Sequence, residues 1–395
     1  MSRRPPLLPS DPIIVAARRT AIGTAGHAFA GVQVTGLAAP VLAALAEQTA
    51  ALGWPGRPDE VVLGNCQGPG GNLGRVAALA AGLGTDVPGS TVDRQCASGL
   101  DAIRTAAALI RAGEAGAVLA GGAESASTAP WRHWPPTELG RPPVRYSRAP
   151  FAPPGFPDPE MGAGADALAA ALGISRRRQD DYAARSHQLA AASAAAHRFA
   201  AEIVAVAGVD HDQRSRAGLT AARLARLPPA FGPGGTVTAG NSCGVSDGAA
   251  AVALVAARRL PELDRDGPVL RIVAGAVAAD DPGLPGSAIT PAVHRLLADP
   301  RAAGIGLADI GALEITEAFA AVVLAAVDGL GLDRELVCAD GGAIGLGHPW
   351  GASGAVLVVR LAARMLGVDG ARFGLAACAT GGGQAVALLL ERIDR

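Results

Sequence analysis

Short apolar segments that end in glycine or a polar residue alternate with helical segments of small residues along most of this chain. In the first half the pattern occupies residues 12–17, 35–50, 60–65, 74–84, 89–92, 99–116 and 117–124. In the second half it occupies residues 310–327 and 341–366. This alternation predicts an α/β protein with a mostly parallel sheet covered by helices on both faces. Each half carries a strand, a polar turn and a helix, which suggests a duplicated unit.

A proline-crowded excursion interrupts the alternation from about Ser125. It contains Trp131 and Trp134, and a helix is predicted over 175–203 before a glycine-rich block at 232–257 returns to strand and helix. A length of 395 residues exceeds one ordinary hydrophobic core, so two or three structural units are expected.

Charge and cysteine content narrow the functional classes. The formal net charge is −1 and all 34 Lys-plus-Arg positions are Arg, so a basic nucleic-acid face is not indicated and a Schiff-base lysine is excluded. Five scattered cysteines without a Cys-x-x-Cys pair disfavour a disulfide framework or a zinc site. The opening MSRRPPLLPS lacks a signal-peptide core, and no uninterrupted run reaches the roughly 18 apolar residues of a membrane span. A cytoplasmic protein without a resident metal is expected.

Cys96 stands where a strand gives way to a helix, in VDRQCASGLDAI. Unpaired N–H groups at a helix N-terminus favour an anion, and such positions lower a thiol's pKa and create a nucleophile. The structural alternative is a small buried hydrophobe, which is the usual role of a free cysteine.

Two further glycine-rich turns carry reactive side chains. His348 is followed by Pro349 in GGAIGLGHPWGASGA, and Cys378 precedes three glycines in CATGGGQ. A cysteine nucleophile, an imidazole base, a second thiol for proton transfer and backbone N–H donors for an oxyanion form one coherent set. A helix-capping histidine and a buried thiol are the structural alternatives.

From end to end the sequence resembles the thiolase family of the acetyl-CoA acetyltransferase and 3-ketoacyl-CoA thiolase type. The resemblance is carried, in family order, by VAARRTAIG, STVDRQCASGLDAI, MGAGADALAAALGISRRRQDDYAARSHQ, TVTAGNSCGVSDGAAA, GGAIGLGHPWGASGA and CATGGGQ. It implies the thiolase fold, with two similar α/β units in five αβαβα layers and an inserted loop domain. The implied boundaries are 1–125 plus 246–265 for the N-terminal core unit, 126–245 for a loop domain that binds coenzyme A, and 266–395 for the C-terminal core unit.

The resemblance also implies a reaction and a set of site residues. Cys96 would be acylated, His348 would activate it, and Cys378 would move the proton at the substrate α-carbon. The reaction is reversible: a 3-ketoacyl-CoA is cleaved by coenzyme A, or two acyl-CoA molecules condense. Coenzyme A is substrate and product, with no permanently bound cofactor. Supporting roles fall to Thr316 and Gly381 at the oxyanion site and to Arg216, Cys243, Met161, Phe319 and His187 along the coenzyme A path.

Several positions depart from the family pattern. Thr316 replaces the asparagine of the Asn-Glu-Ala-Phe block, which predicts slower chemistry. Glu160 places a negative charge where a histidine is common, and this charge either disfavours a simple acetoacetyl group or pairs with a cation. Cys243 replaces a serine. One extra residue precedes the C-terminal glycines, so either Thr380 or Gly381 supplies the backbone donor. Arg214 competes with Arg216 for coenzyme A, and His187 is expected on a helix surface.

Two other functional classes remain open from the sequence. A decarboxylating ketoacyl synthase shares the layered fold but lacks a counterpart of Cys378. A catalytically impaired scaffold subunit would explain the altered positions but not the retention of all three reactive residues. The resemblance further implies a homodimer or homotetramer, with the small-residue segment 68–84 packing against its own copy.

Overall fold

The computed structural model describes residues 6–54, 57–264, 266–367 and 370–394. The basic residues 1–5 and the outer domain limits at residues 1, 265 and 395 lie outside the described residues. The helices are α1 Val34–Ala51, α2 Leu73–Ala80, α3 Ser98–Ala112, α4 Met161–Ala171, α5 Arg176–Ala195, α6 Ala221–Leu224, α7 Ile289–Leu297, α8 Ala320–Leu330, α9 Ala343–Leu346 and α10 Trp350–Leu366. The strands are β1 Pro12–Thr20, β2 Gly23–Thr24, β3 Glu60–Gly64, β4 Gly89–Val92, β5 Ala117–Ser125, β6 Arg132–Trp134, β7 Val144–Tyr146, β8 Ile203–Val204, β9 Ser246–Ala256, β10 Val269–Ala279, β11 Ile310–Ile315, β12 Phe373–Thr380 and β13 Gln384–Ile393.

Two half-sheets with the same internal order form the centre of the fold. One runs β4-β3-β5-β9-β1 and the other β11-β12-β13-β10, and they join where Ile13 and Ile14 of β1 pair with β10. Corresponding pairs have the same sense: β3–β5 and β11–β12 are parallel, whereas β5–β9 and β12–β13 are antiparallel. A parallel bridge from Leu313 to Val337 takes the place of the β3–β4 pair in the second half. The duplication suggested by the sequence is therefore visible in the topology.

The expectation of a mostly parallel sheet is wrong. Antiparallel pairing joins β1 to β9 and β10, β5 to β9, and β13 to β10 and β12. The physical reason lies in the connections. Helical crossovers leave strands parallel, but the glycine turn between β12 and β13 reverses the chain directly. The connection from β5 to β9 is the long excursion, which does not require β9 to run parallel to β5.

Three hydrophobic cores hold the five layers of the fold together. One lies between α1 with α2 and the N-terminal half-sheet, and a second surrounds α3 and α10 between the half-sheets. The third lies between the C-terminal half-sheet and α7, α8 and the excursion. This is the αβαβα arrangement that the family resemblance implied. Because α3 and α10 lie between the two half-sheets, the residues at their N-termini meet in the middle of the protein.

The excursion leaves the sheet after Ser125 and returns at Ser246, where Ser125 pairs with Asp247. It contains the β6–β7 hairpin, α4, α5, β8 and α6. Helix α5 is shorter than the predicted 175–203 because the backbone at His197 turns left-handed, with φ of 55°, and ends the helical segment.

Within the described chain, α1 is the one helix with the length and composition to cross a membrane. Its apolar face packs on β1, β5 and β9 and buries Leu37, Val41, Leu42 and Leu45. Its hydropathy is therefore that of a core helix.

Candidate active site

Cys96 lies in a tight turn between β4 and α3. The preceding Gln95 is held at φ 46°, a left-handed conformation that a non-glycine residue adopts only when neighbours enforce it. Its N–H donates to the Asp93 carboxylate at 2.9 Å, and the Ser98 hydroxyl donates to the Gln95 carbonyl at 2.6 Å. Gly64 on β3 makes room, because a Cβ there would lie 2.4 Å from the Gly99 nitrogen. The turn presents a half-buried Cys96 directly ahead of the helix.

Cys378, near the end of β12, is in contact with the Cys96 turn. Its Sγ lies 3.2 Å from the Cys96 carbonyl oxygen and 3.4 Å from the carbonyl oxygen of the adjacent residue, Ala379. The Thr380 hydroxyl also reaches this turn, donating to the Arg94 carbonyl at 3.0 Å. The C-terminal cysteine motif and the nucleophile motif therefore form one site.

His348 lies between α9 and α10 and is almost fully buried. Its Nδ1 is 2.7 Å from the Ser353 hydroxyl, and its Nε2 has no hydrogen-bond partner among the described residues. The backbone N–H of His348 donates to the Gly244 carbonyl and the Ser246 hydroxyl. One ring nitrogen is thus anchored and the other is available.

Glycine contacts bring the His348 and Cys96 turns together. A Cβ on Gly99, in the first turn of α3, would lie 2.8 Å from the carbonyl oxygen of Gly351, in the first turn of α10. Side chains at these two positions would separate the helix N-termini. Glycine at both lets the turns that carry Cys96 and His348 approach each other.

Burial sets the protonation states of these groups. It raises the pKa of Cys96 well above its usual value, and the nearby thiols Cys378 and Cys243 raise it further. Burial also raises the pKa of Cys378 to about 12 and lowers that of His348 to about 4. The expected lowering of the Cys96 pKa by the helix N-terminus is therefore wrong, because desolvation outweighs a dipole worth about 1 kcal/mol or less. The resting pair is a thiol and a neutral imidazole.

Thr316 follows β11, and its N–H donates to the Ala377 carbonyl at 3.0 Å. Its buried hydroxyl has no partner of full hydrogen-bond geometry among the described residues. It nonetheless interacts with the Cys378 thiol, and this interaction opposes the rise in that thiol's pKa. Thr316 and Ser353 also line a small cavity of about 20 Å³.

Gly381 is buried beneath the Phe151 ring, where a Cβ would lie 2.5 Å from ring carbons. Thr380 forms the last β12–β13 pair with Gln384, and its hydroxyl donates to the Arg94 carbonyl in the turn that carries Cys96. Gly381 therefore begins the glycine turn proper.

Cys243 and Phe319 share a backbone ladder beside the nucleophile. The Cys243 N–H donates to the Ala318 carbonyl at 3.0 Å, and Ser242 bridges Phe319. The Phe319 ring packs edge-on against Phe231, with centroids 5.9 Å apart. Burial raises the pKa of Cys243 to about 12, so its thiol is neutral. Met161, the first residue of α4, packs at the edge of the C-terminal core.

The two competing arginines have different environments. Arg214 is half-buried and donates to the carbonyls of Ile344 and Ser242 at 3.0 and 3.2 Å, so it ties the loops around His348. Arg216 is exposed and has no side-chain partner in the described part of the chain. His187 is buried, contrary to expectation, and burial beside both arginines lowers its pKa to about 4. Helix α5 packs against α6, α8 and α9, so much of its surface is covered by neighbouring elements.

Glu160 adds little negative charge to the pocket. Its side chain is 72% exposed and pairs with Arg148 at 3.3 Å, and Arg148 stacks on the Phe151 ring. Of the two alternatives that the sequence left open for Glu160, the structure therefore shows pairing with a cation.

Two buried groups escaped the sequence reasoning. Glu124, near the end of β5, faces the loop at 65–67 and the start of α10. Ser353 lies five residues after His348 on the next helical turns. A glutamate within the apolar strand GAVLAGGAES was the available signal for the first.

The sequence and the overall fold match those of known proteins. The thiolase N-terminal domain profile matches residues 12–258, and the thiolase C-terminal domain profile matches residues 267–392. An acetyl-CoA acetyltransferase of Pseudomonas aeruginosa is 40% identical, covering 97% of this chain and 99% of that protein. A beta-ketoadipyl-CoA thiolase of Pseudomonas putida is 40% identical, covering 97% and 100%. The crystal structure of the Bacillus anthracis acetyl-CoA acetyltransferase superposes with a TM-score of 0.89 at 36% identity, covering 97% and 99%.

Proposed function

The chain belongs to the thiolase family of acyltransferases, and from that premise we propose that it transfers acyl groups through a thioester on Cys96. The observation that carries this proposal is the 3.2 Å contact between the Cys378 thiol and the Cys96 carbonyl. The close approach of Gly99 to Gly351, in the first turns of the helices that follow Cys96 and His348, supports the inclusion of His348 in the same site.

In the first half-reaction, His348 Nε2 takes the proton of the Cys96 thiol. With the Nδ1–H donating to Ser353, Nε2 is the basic nitrogen, and the low pKa of His348 keeps it unprotonated at neutral pH. The Cys96 sulfur then attacks the C3 carbonyl of a 3-ketoacyl-CoA. The C2–C3 bond breaks, and Cys378 gives its proton to C2 of the departing acetyl-CoA.

Before the second half-reaction, the proton that His348 took from Cys96 passes to the Cys378 thiolate, so that the imidazole is again neutral and Cys378 is again a thiol. The thiol of coenzyme A then loses its proton to His348 and attacks the acyl group on Cys96. The carbon–sulfur bond to Cys96 breaks, and the Cys96 sulfur takes the proton back from His348. Reversal gives condensation, in which Cys378 removes the α-proton of acetyl-CoA. The pKa of about 12 for Cys378 makes its thiolate a strong base toward that weakly acidic C–H.

Coenzyme A would lie along the excursion side of the site. The exposed, unpaired guanidinium of Arg216 suits a phosphate, whereas Arg214 already holds two carbonyls. Cys243 and Phe319 would contact the pantetheine, with Met161 near the acyl group. Because Cys96 and Cys378 must remain reduced to act, we place the enzyme in the cytoplasm, in acyl-CoA metabolism.

Intact mass after incubation with acetyl-CoA tests the acyl-enzyme. One acetyl group should appear on the wild-type chain and none on Cys96→Ser. Cys338→Ser is the matched control, because that thiol donates to the Ile315 carbonyl at 3.3 Å outside the catalytic cluster and serine keeps the donor. It should acquire the label normally.

The remaining outcomes separate the functional classes. Label retained by Cys96→Ser would contradict the assignment of the nucleophile. Absence of an adduct with a panel of acyl-CoA chain lengths would favour a scaffold subunit. Acylation that requires a carrier protein or a malonyl extender would favour a ketoacyl synthase.

A further inference from the structure

Glu124 is a fully buried carboxylate for which the proposed reaction supplies no role. It stands near the C-terminal end of β5, in the layer that faces α3 and α10. Five donors converge on its two oxygens. Asn65 Nδ2 lies at 2.8 Å and the Gln67 N–H at 3.2 Å from Oε1, and the Cys66 N–H, the Cys66 thiol and the Gly351 N–H lie at 3.2, 2.9 and 3.1 Å from Oε2.

These contacts favour the ionised carboxylate. Burial raises the pKa of Glu124, and the hydrogen bonds from Cys66, Gly351 and Gln67 oppose that rise. A protonated carboxyl would need an acceptor, but each of the five contacts is a donor. The first turn of α10 adds a favourable dipole, because Gly351 lies at the N-terminus of a 17-residue helix.

The carboxylate joins the two turns that bear the nucleophile and the base. Gly351 is three residues beyond His348, and a Cβ there would lie 2.8 Å from Asn65 Cα and 2.9 Å from Glu124 Oε2. Asn65 directly follows Gly64, on which the first turn of α3 rests. The base's helix and the strand beneath the nucleophile's helix are therefore tied to one side chain.

Glu124 also acts on Cys96 through its charge. Its negative charge contributes to the raised pKa of Cys96, and it similarly raises the pKa of Cys66. Position and charge are separable properties, because glutamine keeps the length of the side chain and aspartate keeps its charge.

Resting on the proposed function, we propose that Glu124 is a positioning residue for the reaction. Its carboxylate ties the Asn65–Gln67 loop to the first turn of α10, and this tie holds His348 against the Cys96 turn. It touches neither substrate nor the reacting atoms, and it acts through the geometry of the pair and the charge state of the thiol.

The test compares Glu124→Gln and Glu124→Asp with the wild type. Glu124→Asp shortens the side chain, and Glu124→Gln replaces one accepting oxygen by a donating amide. In both variants kcat should therefore fall about 100-fold, with KM for the acyl-CoA changed less than threefold. The pH profile of Cys96 alkylation by iodoacetamide, without coenzyme A, gives an independent readout. Its midpoint should move to lower pH in Glu124→Gln, which lacks the charge, and stay at the wild-type value in Glu124→Asp.

Glu60→Gln is the matched control. Glu60 lies at the opposite end of β3, beside Val118 of β5, roughly 20 Å along the strands from Glu124. Among the described residues, its carboxylate accepts a hydrogen bond from Ser90 alone. It should match the wild type in both assays. Far-UV circular dichroism and melting temperature establish that each variant is folded.

A folded Glu124→Gln with kcat within twofold of the wild type and an unmoved alkylation midpoint would overturn the proposal. If the glutamine variant does not fold, the test depends on Glu124→Asp. A reduced kcat with an unchanged alkylation midpoint in this variant supports the proposal, and a wild-type kcat overturns it. The alkylation arm needs no acyl-CoA. A wild-type chain that accepts no acyl group therefore contradicts the proposed function, while the midpoint shift still decides the action of Glu124 on Cys96.

Discussion

The Sγ atom of Cys378 lies 3.2 Å from the carbonyl oxygen of Cys96, although 282 residues separate them along the chain. The contact joins the end of β12, in the C-terminal half-sheet, to the turn ahead of α3, in the N-terminal half. Each half of the duplicated fold therefore supplies one thiol. Neither half alone contains a complete site.

Replacing Thr316 by asparagine should raise turnover. The asparagine amide is a stronger donor than the threonine hydroxyl and reaches further, toward a small cavity of about 20 Å³ beside Thr316, and one oxyanion donor is worth about 100-fold in kcat. We expect at least a tenfold gain in steady-state kcat. Thr316→Val, which keeps the shape and removes the hydroxyl, should lower kcat. Unchanged or reduced turnover in Thr316→Asn would show that the interpretation of this position is wrong.

Free Cys96 should react slowly with iodoacetamide at neutral pH. Its pKa is raised by burial and by the thiols Cys378 and Cys243, so the thiolate fraction is small at pH 7 and grows as the pH rises. Alkylation rates measured by mass spectrometry from pH 6 to 10 should climb throughout, with Cys96→Ser as the blank. A plateau reached below pH 7 would mean that the helix N-terminus governs the thiol after all.

Acidification should destabilise the fold through its buried histidines. His187 has a pKa of about 4 when folded against 6.5 when exposed, so the unfolded chain binds more protons between these values. Stability is full above pH 6.5 and is lost as pH falls toward 4, by about 2 kcal/mol at pH 5 for one such group. In urea unfolding, His187→Gln should lose less stability than the wild type between pH 8 and 5. The exposed His294→Gln should keep the wild-type slope.

A buried ion network joins the excursion to the core. Glu202 accepts from Arg19 at 2.8 Å and from Arg360 at 2.6 Å, and both guanidinium groups lie over the Phe199 ring. Glu202→Gln removes the carboxylate that these two cations share, although Arg19 keeps Asp212 and Arg360 keeps Asp340, and should cost about 1–3 kcal/mol in unfolding free energy. Asp86→Asn, which breaks an exposed and solvent-screened ion pair, should leave the unfolding free energy close to that of the wild type. Similar losses in the two variants would contradict this account.

Dimerisation should use α2 and the neighbouring edge strand β4. Val76 and Leu79 are 42% and 45% exposed on α2, and β4 ends the strand order of the sheet. We expect sedimentation velocity to show a dimer or tetramer and Leu79→Glu to shift it toward smaller species. Leu172→Glu, equally exposed at the end of α4, should leave the distribution unchanged. A monomeric wild type would remove the inference.

The sequence by itself determined the layered α/β class and the excursion after Ser125, and it predicted Cys96, His348 and Cys378 as candidate catalytic residues, because strand and helix periodicity and short motifs are local properties. Only the tertiary structure decided the antiparallel pairing of about half of the strands. It also decided that Arg216, and not Arg214, has no side-chain partner among the described residues. It also decided the raised pKa of Cys96 and the burial of Glu124. Desolvation and pairing sense depend on what packs around a residue from distant parts of the chain, and no local pattern encodes those neighbours.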